Sequence, residues 1–275
     1  MMMSVPRAWV ASRFFAWIGL VGLLVLLGGC ASRSGGEQGP SHDLVTESDE
    51  TDVRKRARIR MELAVGYFEQ GQTNVALDEL KQVILADPTF PDAYNLRGLI
   101  YMRLGDMRQS EDSFRRALSL NVRDANVQHN LGWMLCQQGR YPEAQRAFDV
   151  AMESPLYAGR AKTLMAQGVC QARAGRLAEA ERSLAQSYEL DAANPITGFN
   201  LANILFQRGD FNRAQFYIRR LNNSEFANAE TLWLGIKVER RMNDDVAMSQ
   251  LGEQLRKRFA QSREAASYER RAFNE

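Results

Sequence analysis

Apolar and polar positions divide the chain into three stretches. A continuous apolar run spans residues 14–27, shortly after two arginines, Arg7 and Arg13. Residues 32–50 are polar and rich in glycine, serine and acidic side chains, which leaves too little apolar surface to drive folding. From about residue 57 onward, short polar turns recur at a fixed interval between helix-forming segments. The pattern predicts a targeting segment, a flexible linker and a helical body.

The helical body repeats with a period of 34 residues. The turns that mark the repeats lie at Gly71, Gly105, Gly139, Gly175, Gly209 and Asn243. Their spacing is 34 throughout, except for one interval of 36 between the third and the fourth. Glycine and asparagine are the residues that most readily end a helix in the left-handed conformation. A period of this length indicates stacked helical hairpins.

Small and large residues at fixed positions of each repeat resemble the tetratricopeptide repeat (TPR). The third repeat carries Leu131, Gly132, Ala144, Phe148 and Ala151. Small residues let helices A and B of one hairpin approach closely, and large residues fill the gap between hairpins. The resemblance implies an all-α, right-handed superhelical solenoid of about six TPR hairpins over residues 57–261. A polar cap or tail is expected over residues 262–275.

Charge and composition argue against several functional classes. Arg7 and Arg13 account for the formal net charge of +2, so the rest of the chain is neutral. It therefore lacks the basic footprint of a nucleic-acid-binding protein. Two histidines and three cysteines leave few groups for catalysis or metal binding, and no nucleotide, metal or nucleophile motif occurs. We predict that the protein is not an enzyme and has no catalytic residue, no metal site and no small-molecule substrate.

The cysteines and histidine of the helical body have structural interpretations. Cys136 and Cys170 lie 34 residues apart on neighbouring A helices, at slightly different repeat positions. A disulfide is conceivable in an oxidising compartment, but buried free cysteine is common in helical cores and is the preferred interpretation. His129 is interpreted as a groove-lining or hydrogen-bonded histidine rather than a catalytic base.

The end of the apolar run resembles the lipobox of bacterial lipoproteins. It reads LGGC and ends at Cys30, and small residues before a cysteine follow the apolar run directly. The resemblance implies a signal peptide over residues 1–29, a covalent lipid on Cys30 as the only cofactor-like group, and a flexible linker over residues 30–56. The residue after Cys30 is not aspartate. In that family this absence resembles the pattern of lipoproteins that are exported to the outer membrane. The alternative is an uncleaved anchor with an incidental cysteine.

By analogy with the TPR family, fixed positions on each helix A line an inner groove. Apolar residues at these positions are surplus to the hairpin core, so they suit the apolar segment of a protein partner. The alternative is that superhelical curvature or the chain's own tail covers some of them. The predicted partner-binding residues are Met61, Val65, Phe68, Leu99, Met102, Trp133, Met165, Val169, Phe199 and Phe206.

The lipobox, linker and repeats together resemble the PilF/PilW family of type IV pilus biogenesis lipoproteins, the TPR pilotins of the pilus secretin. Residues 155–162 and 234–256 carry this resemblance beyond the generic repeat. It implies a protein anchored by its lipid on the periplasmic face of the outer membrane. Such a protein binds the secretin and promotes its localisation and multimerisation, and so serves pilus biogenesis and twitching motility. The competing hypothesis is a lipoprotein scaffold for other envelope enzymes, of the peptidoglycan or polysaccharide machinery.

Overall fold

The computed structural model describes residues 51–273. Within this range the chain forms thirteen α-helices and no strand. The helices are α1 Asp52–Glu69, α2 Thr73–Ala86, α3 Pro91–Leu104, α4 Met107–Leu120, α5 Ala125–Gln137, α6 Tyr141–Glu153, α7 Arg160–Arg173, α8 Leu177–Leu190, α9 Pro195–Gln207, α10 Phe211–Asn222, α11 Ala229–Arg241, α12 Asp245–Arg258 and α13 Arg263–Glu269. The predicted all-α repeat fold is confirmed.

The first twelve helices form six hairpins, in which the odd-numbered helices are A and the even-numbered helices are B. Each hairpin packs on the next one along the chain. Successive A helices also contact one another, whereas successive B helices of the described chain do not. The A helices therefore stand closer together and line the inner side of the array.

The turn inside each hairpin is made by a residue in the left-handed conformation. The backbone angle φ lies between 75° and 83° at the five predicted turn glycines, and it is 57° at Asn243. The asparagine shows that the sixth hairpin keeps the turn geometry of the others. The period predicted from the turn residues is thus confirmed through the last repeat, whose turn residue is asparagine.

The left-handed turn geometry can be tested by replacing a turn glycine with alanine and the turn asparagine with glycine. Gly209→Ala should lower the free energy of unfolding by about 1–2 kcal/mol, because a side chain is strained in the left-handed region. Asn243→Gly should raise it slightly, because glycine tolerates this region best. Urea denaturation followed by circular dichroism measures both. Gly66→Ala is the matched control, since Gly66 lies inside α1 with open space around its Cα. Equal stability of Gly209→Ala and the parent protein would contradict the turn geometry.

The hairpin core depends on a close approach between helices A and B. A Cβ atom on Gly132 of α5 would lie 2.8 Å from the ring of Phe148 on α6, closer than real side chains approach. Phe148 and Ala144 are both fully buried. The small residue on one helix and the aromatic residue on the other therefore interlock, as the repeat pattern predicts.

The two extra residues form a tied loop between α6 and α7. The guanidinium of Arg160 donates a hydrogen bond to the carbonyl oxygen of Met152 at 3.0 Å. Tyr157 is buried, and its hydroxyl shares a hydrogen bond with that of Thr163 at 2.9 Å. Leu156, at the tip, is 93% exposed. The loop is held at both ends and presents one apolar side chain to solvent.

Cys136 and Cys170 form a disulfide between α5 and α7, with a Cα–Cα distance of 5.7 Å. The preferred interpretation of two free cysteines is therefore wrong. Each cysteine lies in the last turn of its helix, and neighbouring A helices run side by side in the same direction. The two cysteines stand at different distances from their turn glycines. The interval between these two glycines is two residues longer than the others, and this compensates for the difference. Both sulfur-bearing residues are buried.

The ends of the array differ slightly from the predicted boundaries. Helix α1 begins at Asp52, inside the predicted linker over residues 30–56, because the Thr51 hydroxyl caps it by accepting a hydrogen bond from the Arg54 amide. At the other end, α13 lies within the predicted cap and packs on α11 and α12. No helix in the range that the structure describes is long and apolar enough to cross a bilayer. The predicted signal peptide lies outside that range.

Candidate partner-binding groove

The predicted groove residues all lie on A helices, from α1 to α9. Val65 is 36% exposed, and the other nine are half-buried. Most of them pack with one edge against the buried hairpin cores. Each side chain therefore has one edge in the protein and one edge on the inner surface. We call this surface, formed by the ten predicted residues, the groove.

The N-terminal end of the groove contains a pocket of about 500 Å³. Met61, Val65 and Phe68 of α1 line one side, and Leu99 of α3 lines the other. The structure thus brings together four of the ten predicted residues. Glu69, Asp92 and Asn95 also contribute to its lining. An apolar floor with a few polar groups at its margin is typical of a binding site.

Three aromatic rings of the groove are each faced by a cation from the next helix A. The pairs, with the distance from the cation to the ring centroid, are Phe68–Arg103 at 3.8 Å, Trp133–Arg173 at 5.3 Å and Phe206–Lys237 at 5.7 Å. A cation over an aromatic face is attracted by the electron-rich ring. These contacts join α1 to α3, α5 to α7, and α9 to α11. The groove therefore alternates aromatic surface with positive charge along its length.

Two of these cations are held by more than the ring. The Arg103 guanidinium donates a hydrogen bond to the Phe68 carbonyl oxygen at 2.7 Å. Lys237 is half-buried, contacts Trp233 as well as Phe206, and burial lowers the pKa of its ammonium group. Both side chains are fixed in place before any partner arrives, which reduces the entropy lost on binding.

The sixth repeat extends the groove beyond the residues that the sequence singled out. Trp233, Lys237 and Arg240 of α11 lie 34 residues after Phe199, Asn203 and Phe206. The predicted residues end at the fifth repeat, although a step of one period from Phe199, Asn203 and Phe206 identifies these three. The groove therefore spans all six hairpins.

The chain's own tail covers the sixth-repeat end of the groove. The ring of Phe273 stacks on Trp233, with centroids 5.6 Å apart and planes 22° apart. The Arg240 guanidinium lies 4.3 Å from the Phe273 centroid. Trp233 is consequently only 8% exposed. One alternative considered from the sequence, that the tail covers part of the groove, holds for this end.

Removing the tail ring should uncover Trp233. In a Trp133→Phe background, Trp233 is the only tryptophan beyond residue 17. Phe273→Ala should at least double the quenching of its fluorescence by acrylamide, because the stacked ring shields the indole. Phe226→Ala, which removes an exposed aromatic ring elsewhere, should leave quenching unchanged. Unchanged quenching in the Phe273→Ala protein would show that the tail does not cover the groove in solution.

A buried hydrogen-bond chain supports the middle of the groove. His129 is buried, and its Nδ1 lies 2.9 Å from the Thr163 hydroxyl, which also bonds Tyr157. Burial, assisted by the positive charge of Lys162, lowers the pKa of His129 to about 4. The imidazole is therefore neutral near pH 7 and acts as a link between α5 and α7. The interpretation of His129 as a hydrogen-bonded residue agrees with this geometry.

Metal binding and lipid attachment are the two other kinds of site to consider. Residues 51–273 contain no group of three histidine, cysteine or carboxylate side chains placed to hold a metal ion. Cys30, the predicted lipid attachment site, lies outside the described residues.

Comparison with known proteins agrees with this architecture. Tetratricopeptide-repeat models match residues 66–105, 90–155 and 129–195. The chain is 25% identical to the type IV pilus assembly protein PilF of Pseudomonas aeruginosa over 247 residues, which cover 90% of this chain and 95% of that protein.

Two solved structures share the arrangement of hairpins. One of Pseudomonas aeruginosa PilF has a TM-score of 0.73 at 25% identity, and the match covers 79% of this chain and 99% of that one. A crystal structure of PilW, described as a widely conserved type IV pilus biogenesis factor, has a TM-score of 0.73 at 26% identity and covers 78% and 98%. The chain is therefore a tetratricopeptide-repeat protein of the family that includes the type IV pilus biogenesis proteins PilF and PilW.

Proposed function

We propose that this protein is a pilotin of the type IV pilus secretin, a lipid-anchored factor that binds the secretin and promotes its outer-membrane localisation and multimerisation. The observation that carries the proposal is the similarity to PilF along nearly the whole length of both chains. The similarity therefore extends over the complete array of repeats and beyond it. The role is one of binding rather than of catalysis.

The groove is the proposed contact surface for the secretin. Its pocket near Phe68 accepts apolar side chains, and the cations beside Phe68, Trp133 and Phe206 provide charged neighbours. A partner segment that combines apolar with acidic side chains fits this alternation, because it satisfies both the rings and the cations. The tail ring on Trp233 shows the kind of aromatic contact that the surface supports.

The anchor is proposed to be a lipid on Cys30. The predicted linker after it would give the helical array reach from the membrane surface, since a flexible coil of about 20 residues spans roughly 25 Å r.m.s.. The residue after Cys30 is alanine, consistent with sorting to the outer membrane by the lipobox resemblance. The array would then face the periplasm, where an oxidising environment suits the disulfide.

Deletion and complementation in the native host test this function. Cells without the protein should contain secretin monomers and lack pilus-dependent motility, and the intact gene should restore both. A photoreactive amino acid at Val65 should crosslink to secretin in intact cells, whereas one at the exposed Val122 should not. Normal secretin multimers in the deletion strain would reject the proposal. Crosslinks to peptidoglycan or polysaccharide enzymes instead would favour the scaffold hypothesis.

A further inference from the structure

The fifth repeat lacks a side chain at a position of helix A that neighbouring repeats fill. Eleven residues before the turn, helix A carries Leu164 in the fourth repeat and Leu232 in the sixth, and both are buried. The same position in the fifth repeat is Gly198, also buried, in α9. A Cβ atom there would meet only the Tyr188 ring, at 3.9 Å. Unlike the glycines of the hairpin cores, Gly198 leaves space that no neighbour occupies.

This space is part of an open cavity of about 190 Å³. Its walls include Tyr188 of α8 and Tyr217 of α10, whose rings meet edge to face with centroids 4.9 Å apart. The volume is roughly that of six waters in the liquid, which suits one large side chain. The cavity lies between the B helices α8 and α10 and the start of α9, and none of the ten groove residues lines it.

The cavity carries two polar features that the fold does not use. The hydroxyl of Tyr188 is buried without a hydrogen-bond partner in the described chain. Arg220 lies over the Tyr188 ring at 5.7 Å, and no carboxylate of residues 51–273 pairs with it. Its neighbour Arg219, in contrast, binds Glu239 at 2.6 Å. A buried unpaired hydroxyl is costly, and an unpaired cation beside a cavity attracts a carboxylate.

The rim of the cavity is aromatic and exposed. Phe226 lines the opening and is 47% exposed. Phe216 does not line the cavity, but it packs edge to face on the lining residue Tyr217, with centroids 5.1 Å apart, and is 60% exposed. Aromatic side chains around a hole that is filled on binding are typical of the anchoring regions of protein interfaces. The rim therefore suits a peptide segment rather than an isolated ion.

We propose that the cavity at Gly198 is a second docking site, which receives an aromatic side chain from a protein segment with acidic residues beside it. The aromatic ring enters the space left by Gly198 and packs against the outer side of the Tyr188–Tyr217 pair. A flanking carboxylate faces Arg220. The site does not depend on secretin binding in the groove, and it gives the chain a second contact at a separate place on the array.

Two glycine substitutions separate this site from the fold. Gly198→Leu places in the cavity the side chain that the fourth and sixth repeats carry at this position, so it should block the site while leaving the melting temperature unchanged or higher. Gly198→Ala adds only a methyl group and leaves most of the cavity open. The probes are fluorescein-labelled peptides GSGDFDGSG, GSGKFKGSG and GSGDADGSG, titrated against the purified full-length chain and followed by fluorescence anisotropy.

The first peptide should bind the parent protein and Gly198→Ala more tightly than the other two peptides. Gly198→Leu should raise its dissociation constant at least tenfold. Arg220→Gln should remove the preference for aspartate over lysine without preventing binding. Equal binding by Gly198→Leu and the parent protein, no preference for the acidic aromatic peptide, or no binding of any peptide would each overturn the proposal. None of these outcomes bears on secretin assembly, so the groove function is judged separately.

Discussion

Phe68→Glu should weaken binding of the secretin by about 2 kcal/mol, which is roughly a thirtyfold loss of affinity. The substitution removes an aromatic wall of the N-terminal pocket and the ring that faces Arg103. It also places a negative charge where the proposed partner presents apolar and acidic groups. Titration of purified secretin against the full-length chain measures the loss. In cells the same variant should leave the secretin monomeric.

A gentler variant and a control keep this result interpretable. Phe68 is half-buried, whereas Val65 lines the same pocket and is 36% exposed, so Val65→Glu should impair binding with little change in stability. Val122→Glu introduces the same charge at an apolar residue that is 70% exposed and lies outside the groove. It should bind normally. Normal secretin assembly with stable Phe68→Glu and Val65→Glu proteins would remove the groove from the mechanism.

Cys30→Ser should abolish lipid attachment completely, because serine has no thiol to form the thioether on which lipoprotein maturation depends. Without the lipid, the protein should leave the outer-membrane fraction, either free in the periplasm or uncleaved. Growth with a labelled fatty acid, followed by gel electrophoresis of the purified protein, gives the answer directly. Cys136→Ser is the matched control and should keep the label. Label on the Cys30→Ser protein would disprove the lipobox interpretation.

The repeat architecture is predictable because each turn imposes a local requirement. A left-handed residue must end every helix A, and only glycine and asparagine meet this demand at low cost. The turn residues, from Gly71 in the first repeat to Asn243 in the sixth, therefore recur at a visible period in the sequence. The close approach of Gly132 to Phe148 is similarly encoded, since each repeat must solve the same packing problem. Short-range constraints of this kind place the same residue types at the same position of each repeat, so they can be recognised in the sequence.

The contacts between hairpins are less visible, because they depend on how neighbouring A helices are rotated and offset. The pairing of Trp133 with Arg173 crosses from α5 to α7 and follows no fixed spacing in sequence. The Cys136–Cys170 disulfide depends on the same offset, so repeat position alone favoured free cysteines. The stacking of Phe273 on Trp233 depends on the path of the tail, which the repeat does not determine.

The cavity at Gly198 shows a third case, in which the residue is visible but its consequence is not. A repeat alignment reveals glycine where Leu164 and Leu232 stand in the neighbouring repeats. Glycine could equally let the helices close together, as it does at Gly132. Whether a missing side chain gives contact or space is decided by the surrounding rings of Tyr188 and Tyr217. Only the packed structure distinguishes the two.

The disulfide also determines how the array would respond to mechanical load. A solenoid holds together through contacts between neighbours, so tension applied to its ends separates hairpins one at a time. The bond from Cys136 to Cys170 closes a loop with a sequence separation of 34 residues. That segment, roughly 110–120 Å when extended, cannot lengthen until the bond is reduced. A chain tethered at Cys30 and pulled through a partner would thus yield first at its outer hairpins and keep its centre intact.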